Sequence, residues 1–130
     1  MGRRWPVDIK KTQDYYKQLG YDELCSCAYC QNYIRQIQCE YPAIAEYLQE
    51  FGVDITKPFE TMPLEPTKDG YIEYIAAQYI VYGEHTGFEK RTINSVNIDI
   101  ADCHPSTTIE EPHFVVEIYP IYLKWVSGEL

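Results

Sequence analysis

The sequence predicts an α+β fold, an antiparallel β-sheet of about four to five strands with N-terminal helices packed on one face. Three observations carry this. Cys30, Ile34, Ile37, Tyr41, Ile44, Leu48 and Phe51 recur every three or four residues, one apolar stripe on a helix. From residue 58 onward the chain is rich in β-branched and aromatic residues, the composition of strands. The helical pattern also precedes the strands instead of alternating with them, which segregates helices from sheet. The 130 residues make one domain, residues 1–130, with a helical part over about 12–51 and a sheet part over about 58–126.

Trp5, Val7 and Ile9 alternate with Pro6 and Asp8, which predicts a short strand. Residues 12–19 predict a short helix with Thr12 as N-cap and Gly20 just past its end. The long stripe contains Pro42, which breaks a helix interior but suits the first turn of a new helix. Two helices are therefore expected, about 28–39 and 42–51, with Gly52 as the C-terminal cap. Gln31, Arg35, Gln38, Gln49 and Glu50 fall off the stripe and face solvent. Prolines 58, 63 and 66 bracket a short strand around 59–65 at an edge or bulge. Lys68-Asp69-Gly70 marks a turn. Residues 71–82 read as a long central strand, apolar on both faces. Gly83 to Gly87 is the next turn. Val96, Ile98 and Ile100 define a half-buried strand, and Phe114, Val116 and Ile118 define the last, ended by Pro120.

Acidic residues outnumber basic ones 20 to 11, a formal charge of −9. That balance argues against nucleic acid, whose binders neutralise phosphates with Lys and Arg, and against an anionic membrane surface. No run of 18 apolar residues exists, and the basic start lacks the apolar stretch of a secretory signal. A cytoplasmic location is the resulting expectation. The five cysteines (Cys25, Cys27, Cys30, Cys39 and Cys103) are odd in number, so reduced thiols are expected and not a disulfide framework. Thirteen tyrosines suit half-buried sheet faces first and contact surfaces second.

Cys25-Ser-Cys27-Ala-Tyr-Cys30 is the sharpest local motif. Cys27 and Cys30 stand three apart at a predicted helix start and share one face. Three readings apply. The motif offers zinc up to three thiolates, with Cys103, His104 or His113 as a fourth ligand. Cys27 and Cys30 form a redox pair if the helix N-terminus activates them. In the third reading the cysteines simply fill apolar gaps. Cys103 and His104 are adjacent, and on a strand they would point to opposite faces, so they do not make a nucleophile–base pair. His85 falls in a turn, and His113 suggests a surface ion pair. Glu60 and Glu65, five apart, fall on opposite faces of a strand and so do not form an acid–base pair. No phosphate-binding glycine loop and no nucleophile elbow is present. No catalytic residue is assigned. Residues 40–70 carry seven acidic side chains against Lys57 and Lys68, a local −5. Glu46, Glu50, Glu60 and Glu65 make that stretch a candidate surface for a basic partner.

Cys27-Ala-Tyr-Cys30-Gln-Asn32-Tyr33, then Tyr47-Leu48, then Gly52-Val53-Asp54-Ile55-Thr-Lys57-Pro58-Phe-Glu60, then the tyrosine-rich strand ending at Gly83, resembles a family of small bacterial proteins. Leu123-Lys-Trp125-Val126 is similar to that family's aromatic ending. The resemblance implies no activity. It directs attention to Cys27, Cys30, Asn32, Asp54, Lys57 and Glu60, whereas Cys25 and Cys39 lie outside the pattern.

The leading functional expectation is a non-enzymatic interaction module that neutralises or regulates a basic protein, without a cofactor. The first alternative is a zinc- or thiol-site protein using Cys25, Cys27 and Cys30. The second is a small-molecule-binding α+β domain.

Overall fold

A computed structural model describes residues 7–86 and 88–126. Helices α1 (Ile9–Gln18), α2 (Ala28–Glu40) and α3 (Pro42–Gln49) precede strands β1 (Glu60–Pro63), β2 (Tyr71–Tyr82), β3 (Arg91–Ile93), β4 (Val96–Ile100), β5 (His113–Tyr119) and β6 (Ile121–Lys124). The six strands form one antiparallel sheet in the order β1-β2-β5-β4-β3, and β6 pairs with β2. The α+β class holds, and the strand count is six where four to five were expected. The two additional strands are short. β3 has three residues, two of them exposed, so it carries little apolar signal. β6 follows Pro120, where a strand is expected to end, but it resumes pairing with β2 at once.

The start of the chain also differs. Ile9 opens α1 instead of ending a strand, because the Asp8 carboxylate accepts the Lys11 N–H and caps the helix four residues before Thr12. Thr12 is buried within α1, where its hydroxyl donates to Asp8 O and accepts from Tyr82 N–H. α1 ends at Gln18 with Leu19 as C-cap, one residue earlier than expected. Only Val7 of the expected 5–9 strand pairs, as a single bridge to Gly83, while Trp5 and Pro6 lie outside the described residues. Gly87 of the expected turn also lies outside them.

The α2–α3 junction matches the sequence reading. Pro42 opens α3, and Gly52 closes it at φ +91°. Val53 N–H bonds Leu48 O and Gly52 N–H bonds Gln49 O, the paired bonds of a Schellman ending. A side chain at Gly52 would also strike the backbone of α1, 2.7 Å from Ile9 O.

Tyr33 and Ile37 of α2, with Ile44 and Leu48 of α3, are fully buried against Val96, Ile98, Val116 and Ile118 of the sheet. Cys30 and Ile34, expected on the same stripe, are only half-buried at its flank. Along β2 the inward set changes parity, from Ile72 and Tyr74 to Ala77, Tyr79 and Val81. β5 and β6 change with it, from Phe114, Val116 and Ile118 to Ile121 and Leu123. Ile75 and Ala76 stand opposite Tyr119 and Pro120 at the switch, where β1 also shifts register. A smaller cluster of Ile80, Tyr82, Ala101 and Val115 covers the other face. Together these explain why residues 71–82 read as apolar on both faces.

Candidate three-thiol site

The site forms where the loop after a single 3-10 turn (Tyr21–Glu23) enters α2 beside edge strand β1. Cys27 is the N-cap of α2, and its sulfur lies 3.5 Å from the Cys30 N–H. Thiols are unusual at a position that favours Ser, Thr, Asp and Asn. Cys25 precedes it in the loop, and Gln31 Nε2 holds the Cys25 carbonyl at 2.9 Å. Cys30 Sγ reaches 3.4 Å from the hydroxyl of Thr61, a buried residue of β1. The three sulfurs lie within 4.8 Å of one another. Cys25 and Cys27 are exposed and Cys30 is half-buried.

The thiols differ electronically. At Cys27 burial acts to raise the pKa, but the Cys30 N–H, the Cys25 and Cys30 thiols and the Tyr29 N–H outweigh it and lower the value. At Cys30 burial dominates, the other two thiols add to it, and the pKa is pushed up to about 12 despite the Thr61 hydroxyl. A cavity of about 320 Å³ opens over the cluster, lined by Leu24, Ile34, Pro58, Phe59, Glu23 and Glu60 among others.

The expected fourth ligands do not join the cluster. Cys103 and His104 fall in the loop after β4 and not on a strand, and both are exposed. The Cys103 carbonyl accepts from Gln78, and His104 Nδ1 contacts Pro105 O. His113 makes no ion pair among the described residues. Its ring meets the Thr107 hydroxyl and Glu111 O, each at 2.9 Å. Glu60 and Glu23 line the cavity, but Glu60 precedes Thr61 on β1 and so projects from the opposite face. Glu23 already accepts the Gly20 N–H. Among the described residues, Cys25, Cys27 and Cys30 are the side chains that would hold a metal ion here.

The other candidate residues scatter. Glu46 borders a second cavity of about 600 Å³ between α1 and α3, while Glu60 borders the thiol cavity. Glu50 ends α3 and Glu65 sits in the β1–β2 loop, and all four glutamates are exposed. Asp54 and Lys57 line the larger cavity with their polar groups engaged. Asp54 accepts from Thr56 N–H and hydroxyl, and Lys57 Nζ donates to Tyr16 O. Ten of the thirteen tyrosines are buried or half-buried; Tyr21, Tyr71 and Tyr122 are exposed. The tyrosine content therefore serves mainly the interior.

Sequence reasoning missed Thr61, 31 positions from Cys30, because no local spacing announces such a contact. Fold and site define an α+β protein with three convergent thiols at a helix start. No protein-family model, curated protein or solved structure matches this chain.

Proposed function

We propose that the protein binds a soft, thiophilic metal ion, zinc being the reference case, through Cys25, Cys27 and Cys30. The convergence of three sulfurs within 4.8 Å carries this reading. Thiolate sulfur selects soft ions such as Zn²⁺ and Cu⁺ over hard ones. Three protein ligands with one open position is also the arrangement of zinc sites that admit water or another group. The start of α2 holds two of the three sulfurs, Cys27 as N-cap and Cys30 in the first turn. Thr61 would orient Cys30 from behind as a second-layer hydrogen-bond partner. The test is elemental analysis of reduced protein loaded with Zn²⁺ and freed of excess metal. The expected result is about one zinc per chain for the native sequence and none for Cys27→Ser, since two remaining sulfurs fall short of the three protein ligands that an open zinc site keeps. Equal zinc in both proteins would overturn the reading.

A second reading, docking of a basic protein, is supported by the exposure of Glu46, Glu50, Glu60 and Glu65 on a chain of net charge −9. Glu46→Lys with Glu65→Lys should leave folding intact and slow association with a basic partner, the more so at low salt. Association indifferent to both salt and charge reversal would remove it.

A further inference from the structure

We propose that Cys27 and Cys30 are a peroxide-sensitive dithiol whose disulfide takes the three-thiol site apart and releases its ion. This rests on the metal-site reading for its consequence but not for its chemistry. Cys27 caps α2 and Cys30 lies in its first turn, with the Cys27 sulfur seated on the Cys30 N–H at 3.5 Å. The two sulfurs are within 4.8 Å, and forming a disulfide requires them to close to about 2.05 Å. Cys25 is the less suited partner, because it stands in the preceding loop with its carbonyl tied to Gln31. The cavity over the cluster and the exposure of Cys27 admit a small oxidant.

The oxidant is hydrogen peroxide. The Cys27 sulfur attacks one peroxide oxygen, the O–O bond breaks, and Cys27 becomes a sulfenic acid as the first water leaves. The Cys30 sulfur then attacks the Cys27 sulfur, the S–O bond breaks, and the second water leaves. Two thiols lose two electrons, and hydrogen peroxide gains them to become two waters. A lone Cys25 sulfur is all that remains of the ligand set, so the ion departs. Thiol reductant reverses the step.

The experiment uses the full chain with Cys39→Ser and Cys103→Ser, which removes the two exposed cysteines outside the cluster. Reduced, zinc-loaded protein is treated with hydrogen peroxide. Released zinc is followed with a chromogenic chelator, and cysteine linkage is mapped by mass spectrometry. The expected result is about one zinc released per chain together with a Cys27–Cys30 disulfide, both reversed by dithiothreitol and fresh zinc. Adding Cys30→Ser should slow disulfide formation at least tenfold and leave a Cys27 sulfenic acid that dimedone traps. Cys27 and Cys30 remaining reduced, Cys25 appearing as the partner, or the disulfide forming with zinc still bound would each overturn the proposal. If the reduced chain takes up no zinc at the outset, the metal-site reading fails. Mapping of the metal-free chain then upholds or overturns the disulfide by itself.

Discussion

Helix α2 meets the two sides of the sheet in opposite ways. Toward β6 its polar side chains close every exposed backbone group they reach. The Tyr41 hydroxyl donates to Tyr122 O and accepts from Tyr122 N–H, both at 3.0 Å. Glu40 accepts the Lys124 N–H, and Asn32 both donates to Lys124 O and accepts from Val126 N–H. An unpaired strand edge is a template for aggregation, and this one is capped by side chains. Toward β1 the same helix offers a sulfur, Cys30 Sγ at 3.4 Å from the Thr61 hydroxyl, while the Cys27 sulfur turns back to the Cys30 N–H of its own helix at 3.5 Å. The first arrangement stabilises. The second leaves three soft donors short of strong partners, which suits binding or reaction more than stability.

That contrast can be sharpened by experiment, beginning with the largest effect. The interior face of α2 carries Tyr33, which donates to the Tyr79 hydroxyl, which in turn donates to Ile55 O at 2.7 Å. Tyr16 likewise donates to Ile80 O at 2.8 Å. Burial raises the pKa of Tyr16, Tyr33 and Tyr79 far above the ordinary tyrosine value. Each stays neutral when folded and ionises on unfolding above about pH 10. The unfolded state then holds fewer protons, so the contribution is full below pH 10 and is lost as pH rises past it. Three such groups steepen the loss to about 4 kcal/mol per pH unit, at roughly 1.4 each. Denaturant midpoints that hold level from pH 9 to pH 11.5 would show that these tyrosines already ionise in the folded protein.

Next is Asn32→Ala. It orphans Lys124 O and Val126 N–H together, at an expected cost of about 1–3 kcal/mol. Amide exchange along β6 should accelerate, while exchange along β4 should follow only the global loss. Uniform acceleration would mean that the edge seal has no local role.

The smallest effect belongs to the thiol side. In metal-free protein Cys27→Ser should change stability by less than about 0.5 kcal/mol, because serine is itself a favoured N-cap. A loss as large as that of Asn32→Ala would show that the thiols are structural after all, and the contrast between the two sides would vanish.

Much of this architecture was legible before any coordinates. The stripe ending at Leu48 and Phe51, the break at Pro42, the cap at Gly52 and the full extent of 71–82 as one strand follow from local rules of periodicity and backbone preference. So does the presence of Cys27 and Cys30 on one helical face, since three residues make nearly a full turn. Cys25 was named beside them from the C-x-C-x2-C spacing, which does not by itself bring its sulfur onto the other two. β3 and β6 escaped because two or three side chains cannot establish an alternation, and pairing with a neighbour is what made them strands. The Asp8 cap escaped because Thr12 offered an equally good cap on local grounds, and burial against Tyr82 claimed Thr12 for the interior.

The sequence by itself determined the α+β class, the helix boundaries around Pro42 and Gly52, the acidic charge and the set of available thiols. All of these depend on residues within a turn or two of one another, or on composition. The tertiary structure alone decided that Cys25 turns back onto Cys27 and Cys30, that Thr61 stands behind Cys30, and that Cys103, His104 and His113 stay away. It also decided that Asn32, 92 positions from Lys124, serves an edge strand. Apart from the local fold-back of Cys25, those relations join segments far apart in the chain. They are set by how the helices seat on the shared core, and no spacing along the chain encodes them.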